Sequence, residues 1–204
     1  MFITFEGIDL SGKSTQIKLL EEFLISKKKK VISVREPGGT GISEKIRDIL
    51  LDKKNLNMEY VTEFLLFSAS RYQLTQEVII PKLKKNYYVL CDRYFDSSTA
   101  YQGFGGKIDL KTIYSVNKIA SGNLNPGITF LINISAEEFV KRKKAINKTE
   151  DRIEQKNLSY YKKVIDGYLK ISGDNKKRFV VIDGKKSIPE IHNIVKDHVL
   201  KFKK

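Results

Sequence analysis

A glycine-rich segment near the N-terminus carries residue types that bind phosphate. Gly7-Ile8-Asp9-Leu10-Ser11-Gly12-Lys13-Ser14 matches the spacing G-x-x-x-x-G-K-[ST]. Its glycines allow backbone conformations in which successive N–H groups turn towards an anion. Lys13 could reach the outer phosphates of a nucleoside triphosphate, and the Ser14 hydroxyl could complete a Mg²⁺ shell. The alternative is a glycine-containing turn with an incidental lysine, but an apolar strand before the segment and a helical pattern after it favour the phosphate loop.

Three further clusters could contribute to the same chemistry. Asp92 and Arg93 follow an apolar run, where a carboxylate could hold Mg²⁺ and a guanidinium could clamp a phosphate; such a pair could equally be a structural ion pair. The segment 35–41 (REPGGTG) combines charges with proline and glycines, which predicts a loop. Phe67 and Arg71 share a helix face, so the ring could stack on a base while the cation donates to its carbonyl. Alternatively, Phe67 belongs to the core and Arg71 to the surface.

The elements that must position these residues alternate between strand and helix. Apolar runs at 1–5, 31–34, 87–91, 128–132 and 178–182 predict five strands. Helical patterns lie between them, including a long one at about 58–84 with a break near Pro81. Near-continuous apolar strands separated by helices predict a parallel sheet covered on both faces. Because ligands collect at the carboxyl ends of such strands, the phosphate loop, the 35–41 turn and the Asp92-Arg93 pair should meet at one edge.

Composition limits the class of protein. The chain has 204 residues, of which 41% are hydrophobic and 30% charged, as in a globular protein of one domain or at most two small ones. No apolar run approaches the roughly 20 residues that span a bilayer, and the N-terminus does not resemble an export signal. With the single Cys91, which excludes an internal disulfide, these features predict a cytoplasmic protein without a membrane partner. The net charge of +14 comes mostly from lysine clusters without interleaved aromatic residues, which favours a solvated surface over a specific nucleic-acid site.

Taken in order, these motifs resemble the thymidylate kinase (dTMP kinase) family over essentially the whole chain. The matching elements are FEGID with GKST at 5–9 and 12–15, REPGGT at 35–40, LLFSA-x-R ending at Arg71, DRY at 92–94, SSTAYQ at 97–102 and DRIE at 151–154. One of them alone would indicate only a phosphate-loop kinase. The REPGGT turn together with the DRY and SS-x-AYQ run is specific to this family.

The resemblance implies an α/β fold of the nucleoside-monophosphate-kinase type. This is a three-layer P-loop sandwich in which helices cover a five-stranded parallel sheet of order 2-3-1-4-5, in a single domain. The implied reaction is transfer of the γ-phosphate of Mg²⁺-ATP to dTMP, a step in dTTP synthesis. ATP would be bound by Gly7, Ile8, Asp9, Leu10, Ser11, Gly12, Lys13, Ser14 and Thr15, and Mg²⁺ by Ser14 and Asp92.

The resemblance also implies an acceptor site. Its residues would be Asp9, Glu36, Pro37, Arg47, Phe67, Arg71, Arg93, Ser97, Ser98, Tyr101 and Gln102. Phe67 would stack on thymine and Arg71 would bond its edge. Arg47 and Arg93 would hold the monophosphate. The ring of Tyr101 would crowd a 2′-hydroxyl and so favour the deoxy sugar.

Leu10 stands where some family members carry an arginine. The chain is therefore similar to the bacterial type, whose catalytic cation comes from a mobile lid, here expected at about 141–153. Arg142, Lys148 and Arg152 are the candidate lid cations, and they join Asp9, Lys13 and Arg93 as predicted catalytic residues. The resemblance does not decide among the three.

Two alternative functions and a dimeric assembly are also considered. A thymidine kinase is the nearest alternative, but Arg47 and Arg93 would then have no acceptor phosphate to bind. A nucleic-acid-dependent P-loop NTPase would bind oligonucleotides in a strongly salt-dependent manner. Because family members are usually homodimers, a twofold dimer is expected by analogy.

Overall fold

The computed structural model describes residues 1–145 and 151–202, and its centre is a five-stranded parallel sheet. The strands are β1 (Phe2–Glu6), β2 (Val31–Arg35), β3 (Tyr88–Asp92), β4 (Ile128–Asn133) and β5 (Phe179–Asp183). Their order is β2-β3-β1-β4-β5, and every neighbouring pair is parallel. The predicted fold class and strand order are confirmed.

The register of the sheet brings the predicted motifs to one edge. Phe5 is paired with Asp92 and with Phe130, and Arg35 is paired with Asp92. The phosphate loop, the 35–41 turn and Arg93 therefore leave the sheet side by side at the carboxyl ends of β1, β2 and β3. This is the edge that the sequence predicts for ligand binding.

Helices surround the sheet. They are α1 (Lys13–Ser26), α2 (Gly41–Leu51), α3 (Tyr60–Leu74), α4 (Ile80–Lys84), α5 (Phe95–Ser98), α6 (Leu110–Ala120), α7 (Ala136–Ala145), α8 (Leu158–Asp174) and α9 (Ile188–Lys201). A short 3₁₀ turn occupies Lys53–Asn55, and π-helical turns occupy Thr75–Ile79 and Thr99–Gly105. Within the described ranges, no helix is both long and apolar enough to cross a membrane.

The predicted helix at about 58–84 exists as three consecutive helical pieces. α3, the π-helical turn Thr75–Ile79 and α4 follow one another without a loop. Pro81 lies in the first turn of α4 rather than at a break. Because the pieces are continuous, the ring of Pro81 removes one backbone N–H donor from the helix, and the π-helical turn lies directly before it.

The segment after β3 is helical, which the sequence analysis did not predict. α5 and the π-helical turn Thr99–Gly105 carry Ser97, Ser98, Tyr101 and Gln102. Small and polar residues dominate this segment, so it lacks the apolar periodicity by which amphipathic helices are recognised. π-helical turns are frequent at functional sites, and this one forms a wall of the cavity described below.

The hydrophobic core lies on both faces of the sheet, as a covered parallel sheet requires. Ile3 and Phe5 of β1 pack with residues of α1 and α9 in one cluster. Phe2, on the opposite face of the same strand, packs with Leu74 and Tyr94 in another cluster. Successive residues of β1 therefore point to opposite faces, and the last one, Glu6, is fully buried beside the phosphate loop.

Candidate active site

A cavity of about 640 Å³ opens at the carboxyl edge of the sheet. Its lining includes all eleven residues predicted for the acceptor site, together with Leu51, Asp151 and Ile153, which the sequence analysis did not assign to it. This empty space includes solvent at the open mouth of the cavity. We call this space the acceptor cavity.

A second cavity, which we call the phosphate cavity, adjoins the first along the phosphate loop. Its lining includes Leu10, Gly12, Lys13, Ser14, Thr15 and Arg142, and it shares Asp9, Glu36, Arg47, Arg93 and Asp151 with the acceptor cavity. The shared residues form the boundary between the two spaces. Two arginines at this boundary provide positive charge where a phosphate would pass from one space to the other.

The phosphate loop has the backbone geometry that its glycines predict. Gly7 and Gly12 have φ angles of 133° and 104°, which side chains other than hydrogen rarely allow. A Cβ at Gly7 would also collide with the backbone oxygen of Ile132. Lys13 Nζ donates to the backbone oxygens of Gly7 and Ile8 at 3.1 and 3.0 Å. Burial, reinforced by the nearby Arg93, lowers the pKa of Lys13 to about 8.

Ser14 and Asp92 lie together, as predicted for a Mg²⁺ site. Ser14 Oγ donates to Asp92 Oδ2 at 3.0 Å, and the buried Asp92 Oδ1 has no hydrogen-bond partner in the described part of the chain. A buried carboxylate oxygen without a partner is costly unless a cation or water satisfies it. Mg²⁺ commonly takes only one or two protein groups besides phosphate oxygens and water. The pair therefore fits a Mg²⁺ ion held mainly by a bound nucleotide.

Arg93 is held at the boundary of the two cavities by the loop and by the acceptor wall. Its φ angle is 68°, in the left-handed region. The guanidinium donates to Gly7 O at 2.8 Å, to Asp9 Oδ1 at 2.7 Å and to Tyr101 Oη at 3.2 Å. Burial disfavours the charged form of Asp9, but Arg93 and Lys13 outweigh it and lower the pKa of that carboxyl group. Asp9 therefore fixes the direction in which Arg93 points.

Glu6, which was not predicted as a site residue, holds the segment that follows Arg93. Its carboxylate accepts hydrogen bonds from Tyr94 N at 2.7 Å, Ser97 Oγ at 2.6 Å and Tyr168 Oη at 3.0 Å. Burial, and next the charge of Asp96, raise the pKa of Glu6 to about 7. The signals in the sequence were its place in the FEGID element and its position as a charged residue at the end of an apolar strand, directly before Gly7.

At the other end of the acceptor cavity, Arg71 is buried with 1% exposure, so the alternative of a surface residue is wrong. Its Nε donates to Glu36 Oε2 at 2.7 Å, and its terminal nitrogens donate to Asn117 Oδ1 at 2.9 Å and Ser98 Oγ at 2.8 Å, with a longer contact of 3.4 Å to Tyr94 O. Because a guanidinium has five N–H groups, these four contacts leave one for a ligand. Asn117 was not predicted, since a polar residue within α6 gives no signal of its position.

Glu36 combines burial with an unused acceptor. Burial raises its pKa to about 7, against the opposing effect of Arg71. Its Oε1 is buried and has no hydrogen-bond partner among the described residues, while Glu36 lines both cavities. Phe67, half-buried on α3, lines the acceptor cavity four residues before Arg71, as the helix-face argument predicts.

The three candidate lid cations have different surroundings. Arg142, at the end of α7, lines the phosphate cavity and donates to Leu10 O at 3.0 Å and Gly184 O at 2.7 Å. Arg152 is buried, donates to Leu50 O at 2.8 Å and pairs with Glu63 at 2.6 Å. Lys148 lies outside the described residues. Of the two described candidates, Arg142 is therefore the one that contacts the phosphate loop. The placement of Arg152 favours a positioning role over the catalytic role that was predicted.

Comparison with known proteins identifies the family. The family model described as thymidylate kinase matches residues 5–195. The thymidylate kinase of Sulfurihydrogenibium sp. (strain YO3AOP1) is 47% identical over 196 residues, covering 96% of this chain and 95% of the relative, and that of Thermosipho africanus (strain TCF52B) is 49% identical over 203 residues, covering 98% and 99%. The crystal structure of thymidylate kinase from Ehrlichia chaffeensis superposes with a TM-score of 0.81 at 34% identity and covers 98% of each chain. The chain belongs to the thymidylate kinase family.

Proposed function

We propose that the chain transfers the γ-phosphate of Mg²⁺-bound ATP to dTMP, giving ADP and dTDP, with ATP in the phosphate cavity and dTMP in the acceptor cavity. The observation that carries this assignment is the boundary between the two cavities. Asp9, Arg47 and Arg93 line both spaces, so a phosphate held there faces both nucleotides. In-line transfer between two bound phosphates requires such shared positive charge.

The acceptor cavity suits a pyrimidine deoxynucleotide. The half-buried ring of Phe67 offers a stacking surface, and the remaining N–H of Arg71 can donate to a base carbonyl. Tyr101 is held by Arg93 beside Asp9, where its ring would meet a 2′-hydroxyl. At the boundary, Arg93 would clamp the acceptor phosphate.

The phosphate cavity suits the triphosphate. The loop N–H groups and the start of α1 would surround the β- and γ-phosphates, and Lys13 would neutralise them. Mg²⁺, held near Ser14 and Asp92, would polarise the transferred group and neutralise developing charge. Arg142, the described lid candidate that lines this cavity, would complete the positive charge around the γ-phosphate. A lid at about 141–153 that excludes water stays a prediction.

The alternatives fit the geometry less well. In a thymidine kinase the two boundary arginines would have no acceptor phosphate, although both line the acceptor cavity. A nucleic-acid-dependent NTPase would not require a cavity lined by both Phe67 and Arg71. A cytoplasmic location stays a prediction.

A homodimer is supported by exposed apolar residues on two helices that pack together. Val61, Leu65 and Tyr72 lie on one face of α3 and are about half exposed, and Ile119 on α6 is 71% exposed. Exposed apolar surface of this kind commonly marks an interface between copies. Sedimentation of the protein and of a Leu65→Glu variant would test the prediction, because a charge on this exposed face of α3 should yield monomers.

The experiment that tests the proposed function is ADP production from Mg²⁺-ATP in parallel reactions with dTMP, thymidine, dUMP and a short oligonucleotide. We expect turnover with dTMP well above that with the other three. Turnover with thymidine instead would contradict the phosphate clamp formed by Arg47 and Arg93. Stimulation by the oligonucleotide alone would place the function on the basic surface rather than in the acceptor cavity.

A further inference from the structure

A buried chain of polar side chains lies behind the wall of the acceptor cavity. Glu63, on α3 four residues before Phe67, is fully buried. One of its carboxylate oxygens accepts from Gln102 Nε2 at 2.8 Å, and the other lies 2.6 Å from a terminal nitrogen of Arg152. Gln102 lines the acceptor cavity, whereas Glu63 and Arg152 stand behind it.

The charge of Glu63 decides how the amide of Gln102 is oriented. An ionised carboxylate only accepts hydrogen bonds, so the amino group of the amide must face Glu63. The carbonyl oxygen Oε1 is then the group that Gln102 can offer to a molecule in the cavity. If the partner of Gln102 could both donate and accept a hydrogen bond, either orientation of the amide would be allowed, because the amide oxygen and the amino group are nearly the same in shape.

We propose that Glu63 is a positioning residue that holds the Gln102 carbonyl oxygen towards the acceptor base, and thereby selects a base that donates an N–H at ring position 3. Thymine donates there, whereas cytosine accepts. The inference rests on the proposed function, since it takes a pyrimidine nucleotide as the occupant of the acceptor cavity. It assigns a specificity role to a side chain that itself touches no ligand.

Arg152 completes the arrangement. A carboxylate buried without compensation is very costly, and the guanidinium of Arg152 supplies the opposite charge while donating to Leu50 O at 2.8 Å. The pair thus joins α3 to the segment that carries Asp151 and Ile153, both of which line the acceptor cavity. This accounts for a buried arginine in a segment whose composition predicted a catalytic cation.

Arg71 and Gln102, which both line the acceptor cavity, together form a hydrogen-bonding pattern that is complementary to thymine. Arg71 presents an N–H, which suits the carbonyl at ring position 4, and Gln102 presents an oxygen, which suits the N–H at position 3. Cytosine has the reverse pattern, an amino group at position 4 and an acceptor nitrogen at position 3. A site that is built to hydrogen-bond one pattern rejects the other because its own buried groups would be left unpaired.

A glutamine at position 63 would reverse the orientation. Its carbonyl oxygen would accept from Arg152, and its amino group would donate to the Gln102 oxygen. Gln102 would then turn its own amino group to the cavity. That amino group would face the N–H of thymine, and two donors cannot form a hydrogen bond with each other. The isosteric Glu63→Gln change therefore removes the selection without changing the size of any side chain.

The test compares dTMP with 5-methyl-dCMP, whose base has the same ring and methyl group but an acceptor nitrogen at position 3 and an amino group at position 4. The protein as it exists should prefer dTMP by roughly 100-fold or more in kcat/KM, because two buried hydrogen bonds are left unmade with 5-methyl-dCMP. Glu63→Gln should reduce this preference by roughly 10-fold or more, mainly through a higher KM for dTMP, because only the contact at position 4 then favours thymine. Gln102→Leu should reduce it to a similar extent, while the exposed control Glu59→Gln, also on the N-terminal side of α3, should leave it unchanged.

The ratio separates positioning from mere structural damage, because the same folded molecules turn over both substrates. Loss of the preference in Gln102→Leu but not in Glu63→Gln would overturn the proposal and leave the proposed function intact. A wild-type ratio near one would also overturn it, since position 3 would then not be read. Failure to phosphorylate dTMP at all would instead overturn the proposed function. If Glu63→Gln does not fold because Arg152 is left unpaired, the double variant Glu63→Gln/Arg152→Gln removes both charges, and an unchanged preference in it would refute the role of Glu63.

Discussion

Replacing Glu6 by glutamine should change how stability depends on pH. Glu6 is fully buried, and burial together with the charge of Asp96 raises its pKa from 4.5 to about 7. A carboxyl group with a raised pKa in the folded state keeps its proton there when the unfolded chain has already lost it. The unfolding free energy therefore falls as pH rises from about 4.5 to about 7, and the ionised group destabilises the fold above pH 7.

The size of the effect follows from the same two values. Each unit of pKa difference corresponds to about 1.4 kcal/mol. Between pH 5 and pH 8, the interval in which only the unfolded chain is ionised covers about two units, from pH 5 to the folded pKa of about 7. We therefore expect the contribution of Glu6 to fall by about 3 kcal/mol over this range. The glutamine of the Glu6→Gln variant keeps the shape of the side chain, does not titrate and can still accept from Tyr94 N.

The assay is urea unfolding of the wild type, Glu6→Gln and the exposed control Glu22→Gln at half-unit steps from pH 5 to pH 8. The wild type should lose stability relative to Glu6→Gln as pH rises, and subtracting the two curves cancels the other titrating groups, including Glu36 with its own pKa of about 7. The control difference should be flat. A flat difference for Glu6→Gln as well, or one that rises with pH, would refute the conclusion that burial dominates at this carboxylate.

Three further substitutions test the assigned roles. Arg93→Ala should lower kcat/KM for dTMP by roughly 10²- to 10³-fold, because it removes the arginine that clamps the acceptor phosphate. The ATP affinity, measured by fluorescence titration, should change less than threefold. Equal losses in kcat/KM for dTMP and in ATP affinity would contradict the clamp. Phe67→Ala should raise the KM for dTMP about 10-fold through lost stacking, and an unaltered KM would remove Phe67 from the base site. Asp92→Asn should raise the Mg²⁺ concentration for half-maximal rate by about 10-fold or more, whereas an identical Mg²⁺ titration would contradict the metal assignment.

The sheet and its binding edge could be predicted because their signals are local. Each strand is a nearly continuous apolar run, and glycines and prolines mark the loops between strands and helices. Once the strands are taken as parallel, Gly7, the 35–41 turn and Arg93 must emerge at one edge whatever the details of packing. The order of the motifs along the chain was therefore enough to predict that they form a common site.

The supporting side chains could not be predicted, because their partners lie far away along the chain. Glu6 is bonded to Tyr168, Arg71 to Asn117, and Arg152 to Glu63, and no spacing rule links such pairs. A charged residue taken alone indicates solvent exposure, since that is where most charges lie. Burial reverses this interpretation, and burial is known only after the helices have packed.

Two arginines of the acceptor site, the buried Arg71 and the half-buried Arg93, are held mainly by the protein itself. Arg71 is paired with Glu36, and Arg93 with Asp9, so most of their N–H groups already have partners before any ligand is considered. Buried ion pairs add little net stability, because desolvation offsets the attraction between the charges. Their effect here is on direction, since each carboxylate leaves its arginine with few donors to aim at a ligand. Preorganised donors of this kind do not need to reorient during reaction, which is the condition under which electrostatic stabilisation of a transition state is largest. We infer that the carboxylates of this site orient its arginines for substrate recognition. Isosteric amide substitutions at Asp9 and Glu36 leave an arginine charge uncompensated, so they should lower both kcat/KM with dTMP and the free energy of unfolding.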